Sequence, residues 1–267
     1  MGFGFAFAWS TATAGGSVEP AYIFTNAEAE ALVARFSSKP ANSRKSQIDA
    51  FVGALKAAGV WAKLDFLHVM AAHDEQAATR NWIADQFNAS NSGCSFDADN
   101  GFTGAGDPTH IDTNALATSL GHMTSGDGSI GVWALTAPDV SYGTMGTRPA
   151  GFYHRIATNG GPSERRVRFS SSTDVLFDDG VTTGFVVASR VAGGTVRSYR
   201  NGGGEYEVTG LGDNGFPNEN FSYLESGTWY STQQVALGFG GASLTAQEVA
   251  DFYAAALTYL QAIGTLE

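Results

Sequence analysis

With 267 residues, 43% of them apolar and 34 of them glycine, the chain is long enough for one large β domain with attachments. Charged residues are only 15%, against roughly 25% in an average soluble domain, which leaves a surface built from Ser, Thr, Asn and Gly. The net charge of −11 repels nucleic acid and anionic lipid, so neither is an expected partner; a single cysteine, Cys94, excludes an internal disulfide and a cysteine-built metal site. No apolar run reaches the ~18–20 residues of a membrane helix, so no insertion is expected.

Along the chain, Phe3, Phe5, Phe7 and Trp9 recur at period two and place four rings on one face of a strand. No Lys or Arg precedes them, which argues against a cleaved leader. A strand so apolar needs a partner, either its own domain or another subunit onto which residues 1–19 dock as an assembly arm. Gly15 to Pro20 reads as a linker, and residues 20–87 read as a helical lead-in. Thr25 and Glu28 have the spacing of a capping box ahead of Leu32, Val33 and Phe36, and Lys39-Pro40 ends that helix. A second helix starts near Ser43, with Ile48, Phe51, Val52 and Leu55 as its apolar stripe and Gly59 at its C-terminal cap. Val60 to Ala72 is apolar without a clear period and fits a helical turn followed by a buried strand. His73 to Trp82 reads as a short helix.

From Asn88 the texture changes to short apolar runs bounded by Gly, Asn, Asp and Pro, so residues 88–267 read as a β-sandwich closed by a helix. Candidate strands are Ser95 to Phe102, His110 to Thr113, Ser129 to Leu135, Ser141 to Met145, Gly151 to Ala157, Arg165 to Ser170, Val175 to Phe177, Phe221 to Leu224 and Gln234 to Phe239. Between Gly184 and Val208, three further runs separated by Ala192-Gly193-Gly194 and Asn201-Gly202-Gly203-Gly204 spell out a meander. Thr245 and Glu248 form a second capping box with Leu244 and Val249 as staple, and Val249, Phe252, Tyr253, Ala256 and Leu260 mark the buried face of the last helix.

Several ordered blocks carry a resemblance: AAGVWAKLDFLHVMAAHDEQAATRNW, FDADNGFTGAGDPTHIDTN, SIGVW, ASRVAGGTVRSYRNG and LGFGGASLTAQEVADFYAAALTYLQAIG. Over roughly residues 26 to 267 the chain resembles phage structural proteins with a concanavalin A-like, laminin G-like jelly-roll domain. The resemblance implies a mainly β fold, a jelly-roll β-sandwich with N-terminal helices and a packed C-terminal helix. It also implies a virion-surface protein of tail-fibre, head-fibre, spike or decoration type, associated with itself and with other virion proteins. The wider fold superfamily contains lectins, glycanases and purely structural modules, so binding of a host surface polysaccharide, assembly without a ligand and glycan cleavage are the functions to separate.

Catalytic patterns are missing. Glycoside hydrolysis needs two carboxylates across a cleft, ~5 Å or ~6.5–9.5 Å apart. Glycanases of this fold carry them as Glu-x-Asp-x-x-Glu on one strand; here the nearest run is Glu205-Tyr206-Glu207, which reads as a solvated strand face. The Arg-x-Glu-x-Arg strand of alginate lyases and the Gly-x-Ser-x-Gly elbow are both absent, and His68, His73, His110, His122 and His154 form no ligand pair. No enzyme activity and no cofactor are expected. Asp97, Asp99, Asp107 and Asp112 are candidates for a Ca²⁺ site, although the EF-hand pattern counted from Asp97 fails at Pro108; the alternative is Asx-type turns.

Arginine placement marks the candidate binding surface. Of eleven arginines, eight lie between Arg148 and Arg200. In extended strands Arg166 and Arg168 share one face, and Arg197 shares another with Tyr199 and Thr195. Were those strands neighbours, they would form, with Arg200, a basic and aromatic surface suited to an acidic sugar. The alternative is cross-strand pairing with Asp and Glu. Trp229 and Tyr230, after the Gly212 to Asn220 loop, are a second candidate.

Overall fold

The computed structural model describes residues 20–137, 143–147, 153–158, 164–178 and 182–267. The aromatic segment Phe3, Phe5, Phe7, Trp9 and Arg148 lie outside them. Helix α1 (Ala27–Ala34) packs on α2 (Asn42–Ala57), and a single turn, α3 (Glu75–Ala78), is capped by Asp74, whose carboxylate accepts from the Ala77 amide at 2.7 Å. The long C-terminal helix α4 (Ala246–Ala262) starts with the capping box read from the sequence: the Thr245 side chain accepts from the Glu248 amide and the Glu248 carboxylate accepts from the Thr245 amide.

Among the described residues, two large antiparallel sheets face one another. The first runs β13 (Gly203–Val208), β12 (Thr195–Arg200), β11 (Gly184–Val191), β6 (Gly128–Ala134), β17 (Gln234–Gly241), β4 (Gly101–Thr103) and β3 (Ser95–Asp97), with β1 (Leu64–Val69) also paired to β17. The second runs β10 (Val175–Asp178), β9 (Glu164–Ser171), β8 (Tyr153–Thr158), β7 (Gly143–Thr147), β14 (Asn220–Tyr223), β5 (His110–Leu116) and β2 (Ser90–Ser92). A small hairpin, β15 (Glu225–Ser226) with β16 (Trp229–Tyr230), contacts β7 and β8. The fold is mainly β, a jelly-roll β-sandwich with N-terminal helices and a packed C-terminal helix.

Strand alternation distributes the apolar residues over two interfaces. Between the sheets, Phe66 meets Phe221 (ring centroids 5.8 Å apart), and the buried Arg190 donates to the Phe169 carbonyl at 3.0 Å. On the other face of the first sheet, Trp133, Phe185 and Phe239 carry α4: Trp133 stacks on Tyr253 at 5.4 Å and Phe239 meets Phe252 at 4.6 Å. Helix α2 lies beside α4, with Phe51 stacked on Tyr259 at 5.2 Å. Among the described residues the layers are therefore helices, sheet, sheet, and the outer face of the second sheet carries no helix.

Glycines make room for the rings. A Cβ on Gly131 would lie 2.1 Å from Phe239, and one on Gly238 would lie 2.1 Å from the ring of Tyr223, which is fully buried. Gly238→Val is expected to destabilise the fold by about 3 kcal/mol or more, because a fully buried ring must leave its site. Gly203→Ala, where a Cβ meets nothing within 4 Å, is expected to be nearly neutral; equal denaturation midpoints for the two variants would contradict this reading.

Two local expectations need correction, and one stretch left open is resolved as a turn followed by a buried strand. Thr25 and Glu28 form no capping box: the N-cap of α1 is Asn26, without a side-chain capping bond. Thr25 and Asn26 instead donate their amides and side chains to Asp49 of α2, while Glu28 pairs with Lys56 at 2.7 Å. Burial pushes the Asp49 carboxyl up, but the bonds from Thr25 and Asn26 outweigh it and hold the pKa at about 2. The run Ser95 to Phe102 is the β3–β4 hairpin rather than one strand, turning through Asp99 and Gly101 at φ 64° and 98°. The open stretch Val60 to Ala72 resolves into a 3₁₀ turn, Trp61–Lys63, followed by β1.

Candidate functional site

The outer face of the second sheet gathers charge and one exposed ring. On β8, His154 and Ile156 face the core, so Arg155 between them faces out; on β9, Val167 and Phe169 face the core, and Arg166 and Arg168 face out. Arg155 stands opposite Arg168 in the ladder. Asp174, in the turn between β9 and β10, joins them: both of its oxygens accept from Arg155 Nη2, at 2.8 and 2.9 Å, and from Arg168, while Arg166 Nη1 lies 3.8 Å away. Burial pulls the Arg155 guanidinium below the usual arginine value, and Asp174 opposes that pull. Three like charges on adjacent positions are thus held together by one carboxylate, among other contacts of the same arginines.

The β15–β16 hairpin lies over this sheet because the neighbouring strand has no side chains in the way. A Cβ on Gly143 or Gly146 of β7 would come within 2.2–2.6 Å of Ser226. The hairpin carries Trp229, 40% exposed, with the Arg155 guanidinium 4.8 Å from its ring centroid. That cation–π contact orients the indole and leaves part of it open to solvent. Beyond Trp229, Tyr230 approaches His110 at 6.3 Å between centroids. There the same face holds a pocket of about 160 Å³ lined by His110, Asp112, Asn218, Asn220, Ser222 and Glu225. Asp112 accepts from Asn220 Nδ2 at 3.0 Å and from the Asn114 amide at 2.7 Å, and the buried Glu225 carboxylate lies 3.7 Å from His110 Nδ1.

The structure brings together Arg166, Arg168, Trp229 and Tyr230 and separates them from Arg197, Tyr199 and Arg200. The two arginine strands are not neighbours: β9 belongs to the second sheet and β12 to the first. Arg197 and Tyr199 lie opposite Ser189 and Val187, on the helix side of the first sheet, so they point away from Arg166 and Arg168. Tyr199 is 2% exposed and belongs to the core, which removes it as a ligand platform. Arg197 donates to Glu207 across the β12–β13 pair at 2.7 Å, the cross-strand pairing weighed as the alternative. Arg200 stands opposite Val186, on the other face of the strand from Tyr199. Arg197→Ala is accordingly expected to leave any binding at the Trp229 face unchanged; loss of that binding would place the ligand on the wrong sheet.

The four aspartates weighed for Ca²⁺ do not converge. Asp97 is on β3 of the first sheet and accepts from Asn100; Asp99 pairs with Arg44 at 2.8 Å; Asp107 lies in the loop before β5; Asp112 is on the second sheet. Among the described residues no cluster of three or more His, Cys, Asp or Glu is placed to hold a metal. Sequence reasoning missed Arg155 and Asp174. Alternation within Tyr153 to Ala157 could have found Arg155 by the rule that singled out Arg166 and Arg168, whereas the turn position of Asp174 carries no periodic signal.

No protein-family model and no curated protein matches the sequence. Solved structures do show similarity. The botulinum neurotoxin serotype D binding domain has 12% identity and a TM-score of 0.55 over 75% of this chain and 52% of that one. Domain 4 of AbnA, a GH43 extracellular arabinanase from Geobacillus stearothermophilus, solved with arabinotriose, has 16% identity and a TM-score of 0.50 over 71% and 98%. Trypanosoma rangeli sialidase has 10% identity and a TM-score of 0.53 over 80% and 39%. The chain spans about half the length of the neurotoxin domain, and identities this low show a shared β-sandwich fold.

Proposed function

We propose that this protein is a non-enzymatic glycan-binding sandwich, displayed as a fibre, spike or decoration subunit on a phage particle, that holds an acidic sugar of the host surface against the outer face of its second sheet. The observation that carries the reading is Trp229: an indole 40% exposed, seated on Arg155, beside Arg166 and Arg168. An aromatic face stacks on the C–H face of a sugar ring, and guanidinium N–H groups pair with a sugar carboxylate. The fold supports the reading, since similar structures were solved with arabinotriose and, for the neurotoxin serotype D ligand-binding domain (TM-score 0.53), with N-acetylneuraminic acid. Binding without cleavage fits a site whose Asp112 is tied to Asn220 and Asn114. The phage assignment rests on the sequence blocks alone.

The test is a glycan array that includes host capsule and lipopolysaccharide fragments, probed with the full chain. Binding to uronic- or sialic-type sugars, lost in high salt, is the expected result. Absence of binding to any polysaccharide overturns the glycan reading and leaves an assembly component without ligand. New reducing ends or unsaturated products after incubation with a bound glycan overturn the non-enzymatic part. Mass spectrometry of purified phage particles tests the virion assignment separately.

A further inference from the structure

The outer face of the second sheet has a direction. One rung of its ladder crosses five strands residue by residue: Arg168 of β9 stands opposite Arg155 of β8, Arg155 opposite Gly146 of β7, Gly146 opposite Ser222 of β14, and Ser222 opposite Asp112 of β5. Directly opposed residues of antiparallel strands share a face, so the whole rung faces outward. At ~4.8 Å per strand, Arg155 and Asp112 stand about 14 Å apart, further than one sugar ring reaches. The chemistry changes along that distance. One end carries the guanidinium groups of Arg155, Arg166 and Arg168 around Asp174, whereas the pocket at the other end is lined by the carboxylates of Asp112, Glu219 and Glu225 and, among the described residues, by no Lys or Arg.

Ser222 points to what that pocket takes. It is 4% exposed, lies between the inward-facing Phe221 and Tyr223, and so turns outward into the pocket it lines; among the described residues its hydroxyl has no hydrogen-bond partner. A hydroxyl so far withdrawn from bulk solvent calls for a polar partner, and the pocket is where one fits. Asp112, opposite it, accepts from the Asn114 amide and from Asn220 Nδ2, and a carboxylate with about four acceptor positions retains capacity for a further donor. A sugar hydroxyl is donor and acceptor at once, so it serves both groups; a sugar carboxylate has no proton to give and meets like charges. At about 160 Å³, below the ~300–1,000 Å³ of pockets for drug-sized ligands, the pocket admits one ring rather than a chain. We infer that the protein selects a mixed glycan, in which an acidic unit at Arg155 and Arg168 is joined to a neutral, hydroxyl-rich unit seated at Ser222 and Asp112, a selectivity that rests on the glycan reading above and sharpens it. Between the two ends the β15–β16 hairpin sits over Gly146, with Trp229 toward Arg155 and Tyr230 toward His110, so the ligand crosses on these rings. Polymers of acidic units alone are disfavoured at the carboxylate-lined end.

Two probe sets, titrated against the full chain, test this: fragments of acidic units alone (oligogalacturonate, alginate and oligosialic acid) and fragments that alternate an acidic with a neutral unit (hyaluronan and mixed host capsules). The alternating set is expected to bind at least about tenfold more tightly, because its neutral units avoid the like charges of the pocket. Asp112→Asn is expected to weaken the alternating set about tenfold, the worth of a hydrogen bond to a charged acceptor, and to strengthen the acidic set by removing a like charge. Misfolding weakens both sets, so changes of opposite sign separate recognition from damage. Ser222→Ala, a smaller change, is expected to weaken the alternating set a few-fold and leave the acidic set unchanged. Equal affinity of the parent for the two sets, or equal losses on both in Asp112→Asn, would overturn the inference; binding that still falls in Trp229→Ala would then leave the glycan reading standing. No binding of either set overturns both.

Discussion

Lowering the pH from 6.5 to 4 is expected to remove on the order of 5 kcal/mol of stability through two histidines alone. His68 and His154 are both fully buried between the sheets, and burial lowers their pKa from 6.5 to about 4 and about 3. Each depressed pKa means that the unfolded chain takes up a proton that the folded chain refuses. The associated stability is complete above pH 6.5 and is lost as pH falls toward 4 and then 3, at up to ~1.4 kcal/mol per pH unit per histidine. The two sites differ in kind. His68 Nε2 lies 2.9 Å from the Phe87 carbonyl, which can only accept, so Nδ1 accepts from the Tyr223 hydroxyl at 3.0 Å and the neutral ring is fully bonded. His154 is held by Phe169, Phe216 and Phe221, and among the described residues neither ring nitrogen has a hydrogen-bond partner. His154→Leu is therefore expected to equal or exceed the parent in stability at pH 7 and to cut the acid slope by about half. Guanidinium unfolding at pH 7, 6, 5 and 4 on both proteins checks it, and an unchanged slope would exclude His154 as a source. Asp49, held at about 2, adds its own loss below pH 3.8.

Trp229→Ala is expected to weaken glycan binding about 10- to 100-fold, the range for an aromatic anchor at the centre of an interface. The residue is 40% exposed and sits on a two-residue strand, so its removal should leave the unfolding midpoint nearly unchanged. Trp229→Phe should recover part of the affinity because a ring still covers Arg155. Arg166, with 31% of its side chain exposed at the edge of the cluster, is the gentler electrostatic probe. Arg166→Gln is expected to reduce the salt dependence of binding more than the affinity at high salt. Affinity of Trp229→Ala equal to that of the parent would remove this face from the proposal, whatever the array shows.

The elements legible from sequence were those whose residues meet one consistent environment. The β11–β13 meander was readable because Asn201 and Gly202 occupy turn positions at φ 47° and 76° that favour Asn and Gly. The α4 boundary was readable because a capping box is a contact between residues three apart. Thr25 and Glu28 had the same spacing and failed, since Asp49, far along the chain, offered Thr25 a charged acceptor.

The sequence by itself determined the fold class, the C-terminal helix, and which arginines share a strand face, because each depends on local period and turn chemistry. Tertiary structure alone decided which strands are neighbours. Placing β9 in one sheet and β12 in the other sent Arg168 and Arg197 to opposite outer faces, and α4 buried the Tyr199 side of the first sheet. The two glycines of β7 let a distant hairpin bring Trp229 over Arg155. Strand pairing is fixed by total burial over the whole sandwich, and no local window of residues contains that sum.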